Sequence, residues 1–332
     1  MTQRTRIPSA KLPVTLPSEK AMRSYNHNKT NYDPEFWEFE YLTHRYLKTL
    51  DNIELMDRLK KIRRNLSKFY TDERSKIPIG VFHSTWYWLR KEHQARFEIS
   101  LRELGYTLPP PPLVGTIHSR NNRYPDLKVA QTTKLFRYLK KEFAEDMIQK
   151  GIFRFSPAET YIEMEGDVAR ADDEKYKSSV LHGENVKITT KSGQEIRPIG
   201  NLHRTTGGID YHMLCLSQAW DEELFEDFGD ATHCVVVNDV DEFLSRIEQA
   251  GRKVYSRWYF HHGPVNYYDK YDIGLKGSIT SVMHKDCTFA YQEEYRILWA
   301  RLEGPPVEGH QFLETGNLDD IADLVASPNR SG

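Results

Sequence analysis

The chain has 332 residues, with 46 Lys and Arg, 48 Asp and Glu and a formal net charge of −2, enough for one large domain or two ordinary ones. No apolar run approaches the ~20 residues needed to cross a bilayer, and the first twenty residues lack the apolar stretch of a secretory signal. Cys215, Cys234 and Cys287 form no Cys-x-x-Cys pair, which argues against a disulfide scaffold or structural zinc module and sets a cytoplasmic location with no membrane partner as the expectation.

The balanced total hides a polarity. Residues 1–150 hold 28 Lys and Arg against 17 Asp and Glu, whereas residues 151–332 hold 18 against 31. Such asymmetry suggests two modules, the first facing an anionic partner, or else two halves that attract each other.

Residues 1–30 read as a flexible basic tail with too few apolar residues to fold alone. Residues 31–112 read as a basic helical region. Asp33-Pro34 supplies an N-cap and a proline at the first helical position, opening an aromatic-rich helix from Pro34 to Leu50. Leu55, Leu59, Ile62, Leu66 and Phe69 recur at three- and four-residue spacing and define a second helix. Its other faces carry Arg58, Lys60, Lys61, Arg63, Arg64 and Lys68. A third helix runs from Ser84 to Leu104 and closes at Gly105. Pro109 to Pro112 then give a stiff extended spacer.

Residues 113–304 read as an α+β module with a mixed or mainly antiparallel sheet. Thr133–Lys150 is expected as a helix ending at Gly151. Short strands are expected at Ile152–Phe155, Val186–Thr190, Met213–Leu216, Cys234–Val237, Val254–Phe260 and Thr288–Trp299, with a helix over Asp239–Gln249. Glu163–Glu174 reads as an acidic loop or short helix, Asn201–Asp210 as a loop, and residues 305–332 as a loosely ordered tail.

The most informative run is Tyr291-Gln292-Glu293-Glu294-Tyr295-Arg296-Ile297-Leu298-Trp299. On a strand, Gln292, Glu294 and Arg296 point to one face and Tyr291, Tyr295, Ile297 and Trp299 to the other. An amide, a carboxylate and a guanidinium in a row form either the wet face of a sheet or the floor of a polar pocket.

Two earlier segments join this run. Arg154 stands amid apolar residues in Gly151–Ser156, and Ser217 ends Met213-Leu214-Cys215-Leu216-Ser217 just before Trp220-Asp221-Glu222-Glu223. The order resembles the Arg–Ser–Glu class of ADP-ribosyltransferases, in which an arginine comes from the first strand and a serine from a strand followed by a helix. A glutamate two residues after Gln or Glu follows in a later strand. The resemblance implies an ADP-ribosyltransferase-like fold, NAD as substrate, and catalytic roles for Arg154, Ser217, Gln292 and Glu294. Over about residues 133–301 the chain also resembles an uncharacterised family of bacterial and phage proteins. The shared features are Gly151–Phe155, the acidic Arg170–Glu174, Cys215–Ser217 and Gln292–Arg296; they imply no established activity, though they suggest a role in phage–host conflict. The chain departs from the transferases where it has Cys215-Leu216-Ser217 instead of Ser-Thr-Ser.

By that resemblance, Glu294 stabilises the oxocarbenium-like state formed as the nicotinamide–ribose bond breaks. Arg154 holds a phosphate of NAD, Ser217 fixes the Glu294 rotamer, and Gln292 contacts the nucleophile. Phe155, Tyr161 or an aromatic from elsewhere stacks on the nicotinamide. Each residue also has an ordinary structural meaning. Glu294 and Arg296 on a wet face would pair for about 0–1 kcal/mol, Arg154 would meet the acidic loop, and Ser217 would cap the following helix. The aromatic Tyr255–Tyr268 stretch suits a core better than a nucleic-acid surface. The histidines lack the short spacing of zinc sites, so no metal is expected. The rival reading is a non-catalytic module that grips nucleic acid or a protein through Lys60, Lys61, Arg63, Arg64 and Lys68.

Overall fold

A computed structural model of the chain describes residues 34–67, 85–104, 134–162, 176–181, 183, 186–198, 202–218, 220–229, 231–271 and 282–328. The basic tail, Lys68, the Pro109–Pro112 spacer and the Glu163–Glu174 loop fall outside the described residues. In chain order the elements are α1 (Pro34–His44), α2 (Asn52–Ser67), α3 (Thr85–Leu101), β1 (Leu135–Leu139), α4 (Lys141–Lys150), β2 (Ile152–Pro157) and α5 (Glu159–Ile162). There follow β3 (Tyr176–Leu181), β4 (Ile188–Thr189), β5 (Glu195–Ile196), β6 (Leu202–Gly207), β7 (Tyr211–Ser217), α6 (Glu223–Asp227), β8 (His233–Val237) and α7 (Val240–Gly251). The last are β9 (Tyr259–Pro264), β10 (Asn266–Tyr268), β11 (His284–Asp286), a 3-10 helix (Cys287–Gln292), β12 (Glu294–Ala300), β13 (Gln311–Glu314) and β14 (Ala322–Ala326). The molecule is thus α+β, with helices first and an antiparallel sheet after them. None of the described helices is long and apolar enough to cross a membrane.

The chain divides into two compact units. The helical unit contains α1, α2, α3 and the β4–β5 hairpin. Asp51 and Glu54 cap α2 reciprocally: the Glu54 N–H donates to Asp51 Oδ1 at 2.8 Å and the Asp51 N–H to Glu54 Oε2 at 2.9 Å. Leu55, Leu59, Ile62 and Leu66 are buried, as their spacing predicts. The first helix stops at His44 instead of Leu50, because Arg45 takes a left-handed φ of 37° and turns the chain. The Arg45 guanidinium lies on the buried carboxylate of Glu98, 2.9 Å from it, which also accepts from Arg102 at 2.7 Å.

The second unit is organised by β7. One edge of this strand pairs with β12, which pairs in turn with β9. The other edge is shared: β2 meets it at His212 and Met213, and β1 at Ser217. β13 extends β2, while β8 and then β14 extend β1, every pair being antiparallel. Between the two strands that share this edge, the Arg137 guanidinium donates to the Cys215 carbonyl.

One face of the sheet is the main core. Phe153, Phe155, Leu214, Leu216, Val235, Tyr295, Ile297 and Trp299 meet Met147 and Ile148 of α4 and Phe243 and Ile247 of α7. Helix α4 ends at Gly151 in the left-handed conformation, φ 64°, where a Cβ would lie 2.1 Å from the Gly316 carbonyl oxygen. Glycine is required there twice over. The opposite face carries Tyr211, Met213, Leu298 and Ala300, with Cys215, Val282 and Met283 against them.

Several expectations are corrected. Thr133–Lys150 is not one helix: Leu135–Leu139 form a strand that β8 pairs along its whole length, and only Lys141–Lys150 is helical. Val254–Tyr255 and the residues to Trp258 are turn, with the strand beginning at Tyr259. Asn201–Asp210 contains β6, and Val186–Thr190 shrinks to the two residues of β4. The segment after residue 304 is no loose tail, since β13 and β14 complete the sheet. Most consequential for the site, Thr288–Trp299 is not one strand.

Candidate functional site: a buried charge cluster on the sheet

The chain enters the site through the 3-10 helix, which Asp286 caps by accepting the Thr288 N–H at 2.9 Å. Glu293 then takes a left-handed φ of 42°, an uncommon conformation for a side chain of this size. Its carbonyl accepts the Gln218 N–H at 2.8 Å, which fixes the bend against the end of β7. Beyond the bend β12 begins, with Glu294 directly across from Ser217. Gln292 therefore owes its place to the helical turn and not to strand alternation.

Glu294 is buried between two cations. Its Oε2 lies 2.6 Å from Lys285 Nζ and its Oε1 2.6 Å from Arg296 Nε. Arg296 donates a further hydrogen bond to the Val282 carbonyl at 2.9 Å. Lys285 Nζ also donates to Gln292 Oε1 at 3.0 Å, and sits 5.0 Å from the Phe289 ring centroid. The Glu294 backbone N–H donates to the Tyr267 hydroxyl at 2.8 Å. Ser217 Oγ donates to the Gln292 carbonyl at 2.8 Å. Ser217, Lys285, Gln292, Glu294 and Arg296 are all buried, with Glu294 only 4% exposed. The row is thus neither a wet sheet face nor an open pocket floor; it is an internal network in which every charged head has a partner of opposite sign.

Electrostatics follow from that packing. Burial alone pushes the Glu294 carboxyl up, but the Arg296 guanidinium and the Lys285 ammonium together outweigh it and hold it below the ordinary carboxylate range. The carboxylate is therefore anionic across neutral and mildly acidic pH. Burial, reinforced by the Glu294 charge, pushes the Tyr267 hydroxyl well up, so it stays protonated.

Arg154 lies on the same sheet face. Ser156 pairs with Met213, so Arg154, two residues before Ser156, and Ser217, four residues after Met213, project to one side. Arg154 is exposed and pairs with Phe312 of β13, on the side of β7 away from β12. Three of the four expected catalytic residues thus share a face, and Gln292 joins them through Lys285. The expected role of Ser217 changes: the Glu294 rotamer is set by Lys285 and Arg296, whereas Ser217 holds the Gln292 backbone.

Phe155 is a correction. It points to the opposite face, fully buried, its ring 6.4 Å from that of Tyr255, and cannot stack on a ligand beside Glu294. Tyr161 lies in α5, and its side chain falls outside the described residues. Phe136, paired across from Ser217, and Trp220 are half-buried aromatics on the site's side, with centroids 6.1 Å apart. Sequence reasoning missed both. It also missed Lys285, whose flanks His284 and Asp286 offer no motif.

Comparison of the chain with family models, curated proteins and solved structures returns no match.

The basic helix is more committed than its composition implies. Arg63 donates to Glu92 from Nε at 3.0 Å and Nη2 at 2.9 Å, and Lys61 pairs with Asp57 at 2.9 Å. Lys60 is exposed and Arg64 half-buried. Among the described residues no group of three or more His, Cys, Asp or Glu is placed to hold a metal.

Proposed function

We propose that the sheet unit is an ADP-ribosyltransferase-like module that splits NAD and passes ADP-ribose to a macromolecule. The carrying observation is the Glu294 carboxylate, across from Ser217, kept anionic by Lys285 and Arg296 on the face that bears Arg154. Each carboxylate oxygen has a second lone pair beyond the one its cation takes, which a ribose hydroxyl would reach only when the buried cluster opens. In this reading the carboxylate would stabilise the positive charge that develops on the ribose as nicotinamide leaves. The exposed Arg154 fork suits the pyrophosphate. Nucleic acid is the acceptor favoured by the basic first half, with protein the alternative, and phage–host conflict is the setting that the family resemblance suggests.

The test is nicotinamide release from labelled NAD. Glu294→Gln should lower the rate by about a hundredfold or more, while Arg154→Ala should act mainly by raising KM for NAD. A folded wild-type chain that neither binds NAD nor releases nicotinamide would overturn the reading. In that case the basic-helix binding module is next, tested by Lys61→Glu with Arg64→Glu on capture of a single-stranded oligonucleotide.

A further inference from the structure

We propose that the outer edge of β9 is a surface for single-stranded nucleic acid, on which Tyr259 and His261 stack bases while Lys253 and Arg257 hold phosphates. The proposal goes beyond the NAD reading and does not depend on it.

The run from Gly251 to His262 is core only in part. Phe260 and His262 turn to the main core: the Phe260 ring centroid lies 4.8 Å from that of Trp299, and His262 Nδ1 lies 2.7 Å from the Tyr295 hydroxyl. Alternation along the strand sends Tyr259 and His261 to the opposite face, where Tyr259 pairs with Ala300 and His261 with Leu298. There the two rings stack on each other, with 6.0 Å between centroids and 17° between planes. Ala300 is too small to cover the tyrosine, which is left 55% exposed. β9 pairs with β12 on one side, and no described strand pairs with its other edge. One exposed aromatic on a surface needs no explanation, but two parallel rings on an open edge offer a base a ready-made face.

Charge selects the occupant. Residues 151–332 hold 31 Asp and Glu against 18 Lys and Arg, yet Gly251–His262 has Arg252, Lys253 and Arg257 and no acid at all. Arg252 is committed, 2.6 Å from Glu248. Lys253 and Arg257 are exposed and form no ion pair among the described residues. The Arg257 stem lies along Gly304, where a Cβ would meet Arg257 Cβ at 3.1 Å, and the exposed Glu303 beside that glycine does not pair with it. Salt confines the reach of exposed charges to about 10 Å, so an anion on this edge responds to these cations more than to the net charge of the half. A polyanion that also presents flat aromatic faces is a nucleic acid with its bases unpaired, since a duplex hides those faces.

The test is fluorescence anisotropy of labelled oligo(dT) and oligo(U) with the full chain, without NAD, so that failure of the NAD reading leaves the result intact. Tyr259→Ala should weaken binding about tenfold, and Tyr259→Phe, which keeps the ring, should lose far less. Lys253→Gln with Arg257→Gln should weaken binding and make its log–log salt dependence shallower by about 0.7 for each phosphate contact removed. All three residues are exposed, so urea midpoints should stay near the wild-type value. A wild-type chain that binds neither single strand, or binds a duplex as tightly, would overturn the proposal. So would equal losses with Tyr259→Phe and Tyr259→Ala, or binding that Lys61→Glu with Arg64→Glu abolishes and the β9 variants leave untouched, which would place capture on α2.

Discussion

Arg296 shows what the cluster demands of single residues. Its side chain is fully buried and is one of two cations neutralising Glu294. Removing Arg296 leaves Glu294 buried with Lys285 as its remaining cation, at a cost of up to the about 3–5 kcal/mol typical of a broken buried pair. Arg296→Met should destabilise the sheet unit on that scale in urea denaturation, and adding Glu294→Gln should deepen the loss, because the Lys285 ammonium is then buried without its anion. A double variant as stable as the single one would show that the Lys285–Glu294 pair contributes nothing on its own. At this scale the sequence was informative about which polar residues matter and poor on their surroundings. Gln292, Glu294 and Arg296, neighbours in one run, stand close in space with Ser217 across from Glu294, whereas Arg154 is exposed on a different strand. Phe155 was a poor choice on the alternation rule itself: next to Arg154 on one strand, it has to face the other way. Lys285 was illegible because its partners are set by a bend at Glu293, and nothing in the local residue types announces a left-handed glutamate.

Elements with a single strong signal were legible, and those with competing signals were not. Helix α7 has an Asp239 cap that accepts the Glu242 N–H at 3.0 Å, and it runs close to the expected limits. Leu135–Leu139 sits directly before a genuine helix and was absorbed into it, although its Phe and Tyr favour a strand once β8 supplies a partner. The 3-10 turn at Cys287–Gln292 carries residues common in strands, and only its Asp286 cap marks it. The junction of α7 with β12 leaves no room for an added methyl. A Cβ on Gly251 would lie 2.3 Å from Trp299 Cζ2 and 2.6 Å from Trp299 Cε2. The Trp299 ring is itself fully buried, stacked 5.1 Å from Tyr255, and has little room to retreat. Gly251→Ala should therefore destabilise by about 1–3 kcal/mol through overpacking, visible as a lower urea midpoint and a changed near-ultraviolet tryptophan spectrum. An unchanged midpoint would mean that α7 can slide to admit the methyl.

For the molecule as a whole, the sequence anticipated helices first and a mainly antiparallel sheet after them. It did not anticipate that residues 305–328 would return to finish the sheet, because short strands far along the chain show their value only once β2 and β8 offer edges. That return also brings Val307 onto His212, and the contact sets the response of overall stability to pH. His212 is 2% exposed; its Nε2 lies 3.0 Å from the Val307 carbonyl and its Nδ1 2.9 Å from the Tyr255 hydroxyl. A carbonyl only accepts, so Nε2 carries the proton and Nδ1 accepts from the tyrosine. Burial pushes His212 below the usual imidazole range and His310 adds to this, against the Val307 carbonyl, Glu159 and Asp210, which favour the charged form. The unfolded chain takes up a proton near pH 6.5 while the folded one does not, so stability is complete above that pH. It falls as pH drops toward the folded value, by at most about 1.4 kcal/mol per pH unit. His262 is shifted the same way but lies at the surface, where solvent screening weakens its part. Glu294 adds nothing between pH 5 and 7, being ionised in both states. At the alkaline end the Tyr255 hydroxyl, pushed well up by burial, removes stability as pH rises beyond the ordinary tyrosine value of about 10. The buried Cys234 thiol, pushed up to about 12 by burial, acts in the same direction from about pH 9, so urea midpoints should form a plateau from about pH 7 to 9 with a fall on each side. His212→Gln should be less stable at pH 7.5 yet lose less between pH 7.5 and 5.5 than the wild type. Parallel acid limbs for the two proteins would assign the fall to another group and leave His212 as packing alone.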